Sequence, residues 1–389
     1  MGSLLLACTA APDETSRPTP TADPTHRPTA GASAGPTFTA SPPAPATTGR
    51  NRPAAPPQDF PAQPAGVPWP TDEWSIADWP AGVERAAVDA TTDRAFNDGG
   101  EARVRAVLVV HGGAIVYERY SPNPADGPDA VMPSYSIAKS VTSAFIGILV
   151  RDGLLDIHAP APVPEWHADP EDPRAEITVE HMLRMATGME WTDGLSPGTD
   201  IFRLVSSSDM AAYAAAQQPE HEPGEHFDYN TGTSTLLARI IGEAVGNSQA
   251  ETRAFMDAEL FERIGMTPVR TLFDDAGTWA GGFSADSTAR SFARFGLLYV
   301  RGGFWDGEQV LPADWVGYTR TPSPADAEYG AHWWLDAGRP GVSYAIGLNG
   351  QVITVDPAHD LVIVQLSTVG GQLPLMQTEA ILDAFAESD

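Results

Sequence analysis

The chain has 389 residues, 42% of them hydrophobic, so it can bury a sizeable core and is not a wholly disordered polypeptide. Acidic residues outnumber basic ones 51 to 23, a net charge of −28. That charge repels phosphate backbones and anionic lipid surfaces and argues against a nucleic-acid partner.

The first eight residues end in Leu4-Leu5-Leu6-Ala7-Cys8. This resembles the tail of a bacterial lipoprotein signal, in which small residues precede a lipidated cysteine. Cys8 is then the lipidation site, and the protein is expected outside the cytoplasm, on the cell surface or secreted. The apolar run is far too short to span a bilayer, so the only membrane contact expected is this lipid anchor. It has no basic n-region, so the signal is expected to begin before Met1. The plain alternative is a chance cysteine in a disordered tail. Cys8 is the only cysteine, so no disulfide forms within the chain.

Residues 9–68 are rich in Pro, Thr and Ala and have almost no apolar periodicity; 16 of the 36 prolines lie at or before Pro70. Such a segment reads as a disordered, extended tether. Order is expected from about Trp74, with the folded domain over residues 80–389. A first helix is predicted over residues 83–96. Two strands follow, 106–110 and 114–120, around the Gly112-Gly113 turn.

Residues 136–151 form the most apolar helix of the chain, with Ile137, Val141, Phe145 and Ile148 at helical spacing and Gly153 just past its end. It opens with Ser136-Ile137-Ala138-Lys139. Residues three apart share a helix face, so Lys139 can reach the Ser136 hydroxyl. A serine is a poor nucleophile until a base takes its proton, and a buried, neutral lysine is such a base. Lys139 is the only lysine in the chain; the other 22 basic residues are arginine. Arginine cannot give up its proton, so a lone lysine points to chemistry that arginine cannot do. The plain alternative is an N-cap serine with a solvent-facing lysine.

Residues 154–275 carry mostly helical patterns (179–187, 210–217, 234–245, 250–264) and are expected to form a separate lobe. Within it, Pro223-Gly224-Glu225-His226-Phe227-Asp228-Tyr229-Asn230-Thr231-Gly232 delivers a tyrosine just before a helix. A phenol near an ammonium can relay a proton, although Tyr229 taken alone is as readily a packed core residue. Another helix spans residues 289–301. Strands are predicted over 342–347, 351–355 and 361–367, then a last helix over 373–387. Gly347-Leu348-Asn349-Gly350-Gln351 lies between the first two of those strands. Asn349 and Gly350 mark a turn where substrate can approach the backbone, and the Gln351 N–H is a candidate oxyanion donor. The nine histidines show no metal-ligand spacing, and no phosphate-binding loop appears. Trp333-Trp334 reads as core. The early hairpin and the late strands are too few to stand alone. Joined, they give an α/β protein: one antiparallel sheet flanked by helices, with an inserted mostly helical lobe and a cleft between.

In this order the three motifs resemble the serine β-lactamase and penicillin-binding-protein superfamily. The likeness is closest to its class C-related branch of esterases, aminopeptidases and 6-aminohexanoate-oligomer hydrolases. The resemblance implies a β-lactamase/transpeptidase-like fold and cofactor-free hydrolysis of a small ester or amide. It implies Ser136 as the acylated nucleophile, Lys139 as base and Tyr229 as second acid/base. The Ser136 and Gln351 amides would hold the oxyanion. Thr231 stands where that family usually has Asn, and Leu348 where it has Lys or His. Without that cation a substrate carboxylate has no partner, which favours esters or amides over β-lactams and D-alanyl peptides. Two other readings remain: a penicillin-interacting enzyme using an arginine from elsewhere, and an inactive surface-binding protein on the same fold.

Overall fold

The computed structural model describes residues 59–97, 104–194, 196–368 and 372–387. Cys8 and most of the Pro-rich segment lie outside the described residues. Strands β1 (Val104–His111) and β2 (Ala114–Tyr120) form a hairpin. Gly112 and Gly113 turn it at φ of 57° and 74°, a region glycine enters without penalty. Two-residue pairs follow: β3 (Val269–Arg270) with β4 (Asp286–Ser287), and β5 (Phe304–Trp305) with β6 (Glu308–Gln309). Strands β7 (Trp334–Leu335), β8 (Ser343–Gly347), β9 (Gln351–Asp356) and β10 (Leu361–Ser367) complete the set. The main sheet is antiparallel, in the order β2-β1-β10-β9-β8-β7. β10 joins the early hairpin to the late meander, with Leu108 opposite Val364.

Both faces of this sheet are covered, which explains its unbroken apolar runs. Ala106, Leu108, Val110, Val362 and Val364 face one core, with helices α2 (Ile137–Arg151) and α8 (Ala289–Val300). Val107, Val109, Leu361 and Ile363 face a second core under α1 (Arg85–Asn97) and α10 (Gln372–Ala386). Alternation of polar with apolar residues is expected only where one face meets water.

The lobe between these parts holds α3 (Val179–Leu183), α4 (Asp200–Val205), α5 (Met210–Ala215), α6 (Thr231–Val245) and α7 (Gln249–Met256). A short helix, α9 (Trp315–Thr319), precedes β7. Every residue of α2 from Ile137 to Leu149 is buried, because α2 lies between the sheet and α6.

The tether predicted over residues 9–68 runs too far. Residues 60–68 pack against the domain. Phe60 lies on the main core, and Arg301 donates to the Pro61 carbonyl and to Gln63 Oε1, the latter at 3.1 Å. Arg301 has a side chain only 1% exposed, and a buried guanidinium needs acceptors. The Asp360 carboxylate supplies two, and this Pro-rich segment adds the Pro61 carbonyl and the Gln63 side-chain oxygen, without the periodicity that marks a helix or strand.

Candidate active site

Three pieces meet at the cleft: the start of α2, the start of α6 and the end of β8. Ser134, three residues before α2, is anchored from the β4 side. Its N–H donates to Asp286 Oδ1 at 2.9 Å, and its Oγ accepts from the Ala285 N–H at 2.8 Å. Tyr135 then adopts a φ of 43°, turning the chain so that Ser136 caps α2. Ser136 remains partly exposed, whereas Lys139 is only 1% exposed. The nucleophile candidate can meet a substrate; its base candidate cannot meet bulk water.

Lys139 Nζ lies 3.2 Å from Ser136 Oγ, 3.1 Å from Thr231 Oγ1 and 2.8 Å from the Gly282 carbonyl oxygen. A carbonyl only accepts, so one N–H is committed to Gly282. With a second N–H on Thr231, the lone pair of a neutral amine is left facing the Ser136 hydroxyl. Burial pulls the Lys139 pKa down from 10.5 to about 7, with the negative charge of Asp193 opposing the shift. A neutral amine is therefore well populated near pH 7.

Tyr229 brings its ring face to this nitrogen, 4.9 Å from the ring centroid. It is placed by the N-cap of α6, where Asn230 Oδ1 accepts from the Thr233 N–H at 3.0 Å. Trp334 stacks on Tyr229 at 5.4 Å between centroids, and Tyr329 meets Tyr229 edge-on at 6.0 Å. The two tryptophans read together as core thus part company. Trp333 packs with Phe295 and Tyr299 in the main core, while Trp334 backs the site. Asp228, beside Tyr229, is pushed up to about 6 by burial and by the charges of Asp193 and Glu220.

The third motif packs against the segment that leads into α2. Gly347, the last residue of β8, lies against the nucleophile segment; a β-carbon there would stand 3.2 Å from Tyr135 Cβ. Asn349, in the left-handed region at φ 63°, donates from Nδ2 to Tyr135 Oη at 3.3 Å. Gly350 is buried in the same turn at φ 79°. Gln351 begins β9, one strand in from β8. Its amide group faces β10, donating to the Ser367 carbonyl at 2.5 Å and accepting from the Ser367 N–H at 3.2 Å. Its side chain is thus anchored on β10, while its backbone pairs with Gly347 across the turn, so Gln351 lies beside the end of β8.

Sequence reasoning brought Ser136, Lys139 and Tyr229 together and undervalued Thr231, read only as a departure. Its hydroxyl is one of the lysine's partners. The signal was its place two residues after Tyr229, at the first turn of α6. His221 and His226 stack at 4.3 Å, and among the described residues no group of His, Cys, Asp and Glu is placed to hold a metal.

The sequence profile of the beta-lactamase family matches residues 92–387. A 6-aminohexanoate-dimer hydrolase from Paenarthrobacter ureafaciens is 25% identical over 291 residues, covering 68% of this chain and 72% of that protein. Among solved structures, a candidate 6-aminohexanoate-dimer hydrolase from Bacillus anthracis superposes with a TM-score of 0.67 at 22% identity, over 81% of this chain and 87% of that one. EstCE1, a hydrolase with promiscuous acyltransferase activity, superposes with a TM-score of 0.62 at 15% identity, over 76% of this chain and 97% of its own.

Proposed function

The chain is a hydrolase of the beta-lactamase family, and from that premise we propose that it cleaves a small ester or amide through an acyl-enzyme on Ser136. Neutral Lys139 takes the Ser136 proton as Oγ attacks the substrate carbonyl. The oxyanion that forms is stabilised by the backbone N–H groups of Ser136 and Gln351. Tyr229 passes a proton to the leaving group, and water then releases the acid by the reverse sequence. The observation that carries this reading is the three-way placement of the Lys139 amine on Ser136, Thr231 and Gly282. An inactive binding protein has no need to bury its only lysine in that arrangement.

The substrate class rests on two supports. The relative from Paenarthrobacter is named for the 6-aminohexanoate dimer, amino-acid units that an amide joins. The half-buried Tyr229 ring, backed by the buried Trp334 and Tyr329, offers an apolar acyl chain an aromatic surface. The test is intact-mass labelling with a fluorophosphonate. Wild type is expected to gain one adduct, mapped to Ser136, and Ser136→Ala to gain none and to lose nearly all p-nitrophenyl ester turnover. Undiminished turnover by Ser136→Ala would sink the mechanism. We also propose display outside the cytoplasm through Cys8; palmitate labelling of the expressed protein, lost in Cys8→Ser, tests it.

A further inference from the structure

Nothing above gives a histidine any part in the reaction. His332 is nonetheless buried, 2% exposed, directly behind the lysine's helix. Its backbone sits at a φ of 62°, a costly conformation for a side-chain-bearing residue, and one that surrounding bonds must maintain. Those bonds reach three elements. Both its backbone N–H and its Nδ1 meet the Leu183 carbonyl at the end of α3, at 2.9 and 2.8 Å. Its Nε2 meets Ser234 Oγ on α6 at 2.9 Å. Its own carbonyl accepts from Ser140 Oγ on α2 at 2.7 Å. Leu183 O can only accept, so Nδ1 carries the proton and Nε2 accepts from the Ser234 hydroxyl.

Ser140 is the residue after Lys139, and Ser234 lies one turn after Thr231. His332 therefore ties the helix that carries the lysine to the helix that carries the lysine's partner. We propose that His332 is a positioning residue for the acyl-transfer step: as a neutral imidazole it fixes the Lys139–Thr231 geometry and keeps water from the lysine. This rests on Ser136 acylation with Lys139 as base. Burial supports the neutral form, holding the imidazole pKa down to about 3. The titratable groups facing Lys139 are Tyr229 ahead of α6, Asp193 on the loop after α3, and His332.

The test uses Ser234→Ala, His332→Gln and the double variant. It reads p-nitrophenyl ester kcat/KM from pH 5 to 10, fluorophosphonate labelling and thermal unfolding. Ser234→Ala is expected to fold and to lose on the order of 10-fold in kcat, with KM little changed, because the base is misplaced rather than the substrate released. Its acid limb is expected to move to higher pH, since water reaching the lysine favours the ammonium. The double variant is expected to be no worse than His332→Gln, as one shared bond requires. Where His332→Gln fails to fold, the Ser234→Ala limb decides alone. Lower melting temperatures with an unmoved limb and unchanged kcat would overturn the proposal while leaving Ser136 labelling intact. Wild type without a Ser136 adduct would overturn the underlying mechanism instead, and this inference with it.

Discussion

Gly347 approaches Ser134 so closely that a β-carbon on it would stand 2.4 Å from the Ser134 carbonyl oxygen. Its φ is −115°, open to any residue, so glycine is needed here for space and not for backbone freedom. The contact sets the end of β8 against the segment that turns into the nucleophile.

Gly347→Ala must therefore push β8 away from Ser134 or drag Ser134 with it. Overpacking of this kind costs about 1–3 kcal/mol. The catalytic cost is expected to be larger, on the order of 10²-fold in ester kcat/KM, because displacement of about 1 Å at a reacting group suffices for that. Thermal unfolding and kinetics on one preparation check it. A folded variant within a few-fold of wild type would show that the end of β8 does not shape the site.

Thr231→Val keeps the side-chain shape and removes one of the lysine's partners. A lost acceptor weakens the ammonium form, so the acid limb of ester kcat/KM is expected to move to lower pH. Activity on the plateau is expected to fall on the order of 10-fold as the lone pair loses its aim. A limb that stays in place would mean that Thr231 does not bond the lysine in solution.

Why was the pair Ser136–Lys139 legible in the sequence, and the rest of the site less so? Spacing along one helix is a local property, and three residues fix one face. The sheet was legible for a similar reason: strands covered on both faces run apolar without a break. The partners Thr231 and Gly282 come from distant chain segments, and only packing brings their oxygens to one nitrogen. Gly347 and Gln351 pair across a single turn, and only the folded register brings that turn beside α2. β7 is two residues long, too short for any period, yet it places Trp334 behind Tyr229. Residues 60–68 are held by the Phe60 ring, the Pro61 carbonyl and the Gln63 side chain, isolated contacts with no period, so composition could not reveal their order.

β-Lactam turnover is expected to be feeble beside that of short acyl esters. Residues 343–351, which include the end of β8 and its turn, contain no Lys, Arg or His to pair with a β-lactam carboxylate. Neither the Gly347 side nor the Gln351 side of the turn supplies a cation. The comparison is nitrocefin against p-nitrophenyl acetate on one enzyme preparation. Nitrocefin kcat/KM equal to or above the ester value would show that an arginine elsewhere takes that role.

Lys139→Arg separates a base from a mere cation. Arginine keeps the charge and cannot give up its proton, so the swap is expected to cost on the order of 10²-fold or more, the scale of a positioned acid/base. In wild type the rate is expected to rise with pH through an apparent midpoint near 7, where the buried lysine loses its proton. That midpoint belongs to the coupled Lys139–Tyr229 pair. Asp228 titrates at about 6 beside Tyr229, so Asp228→Asn serves as the control and is expected to keep the limb near 7. Stability carries the same signature. The folded-state pKa lies below the unfolded value of 10.5, so the folded protein binds fewer protons between about pH 7 and 10.5, and stability rises with pH across that window. Lys139→Met removes the buried charge. Its stability gain over wild type is therefore expected to be full below about pH 7 and to fade as pH rises to 10.5. Urea melts of both proteins at pH 6, 8 and 10 measure it. A stability difference that does not change with pH would show that Lys139 is not held neutral, and the base would have to be sought elsewhere.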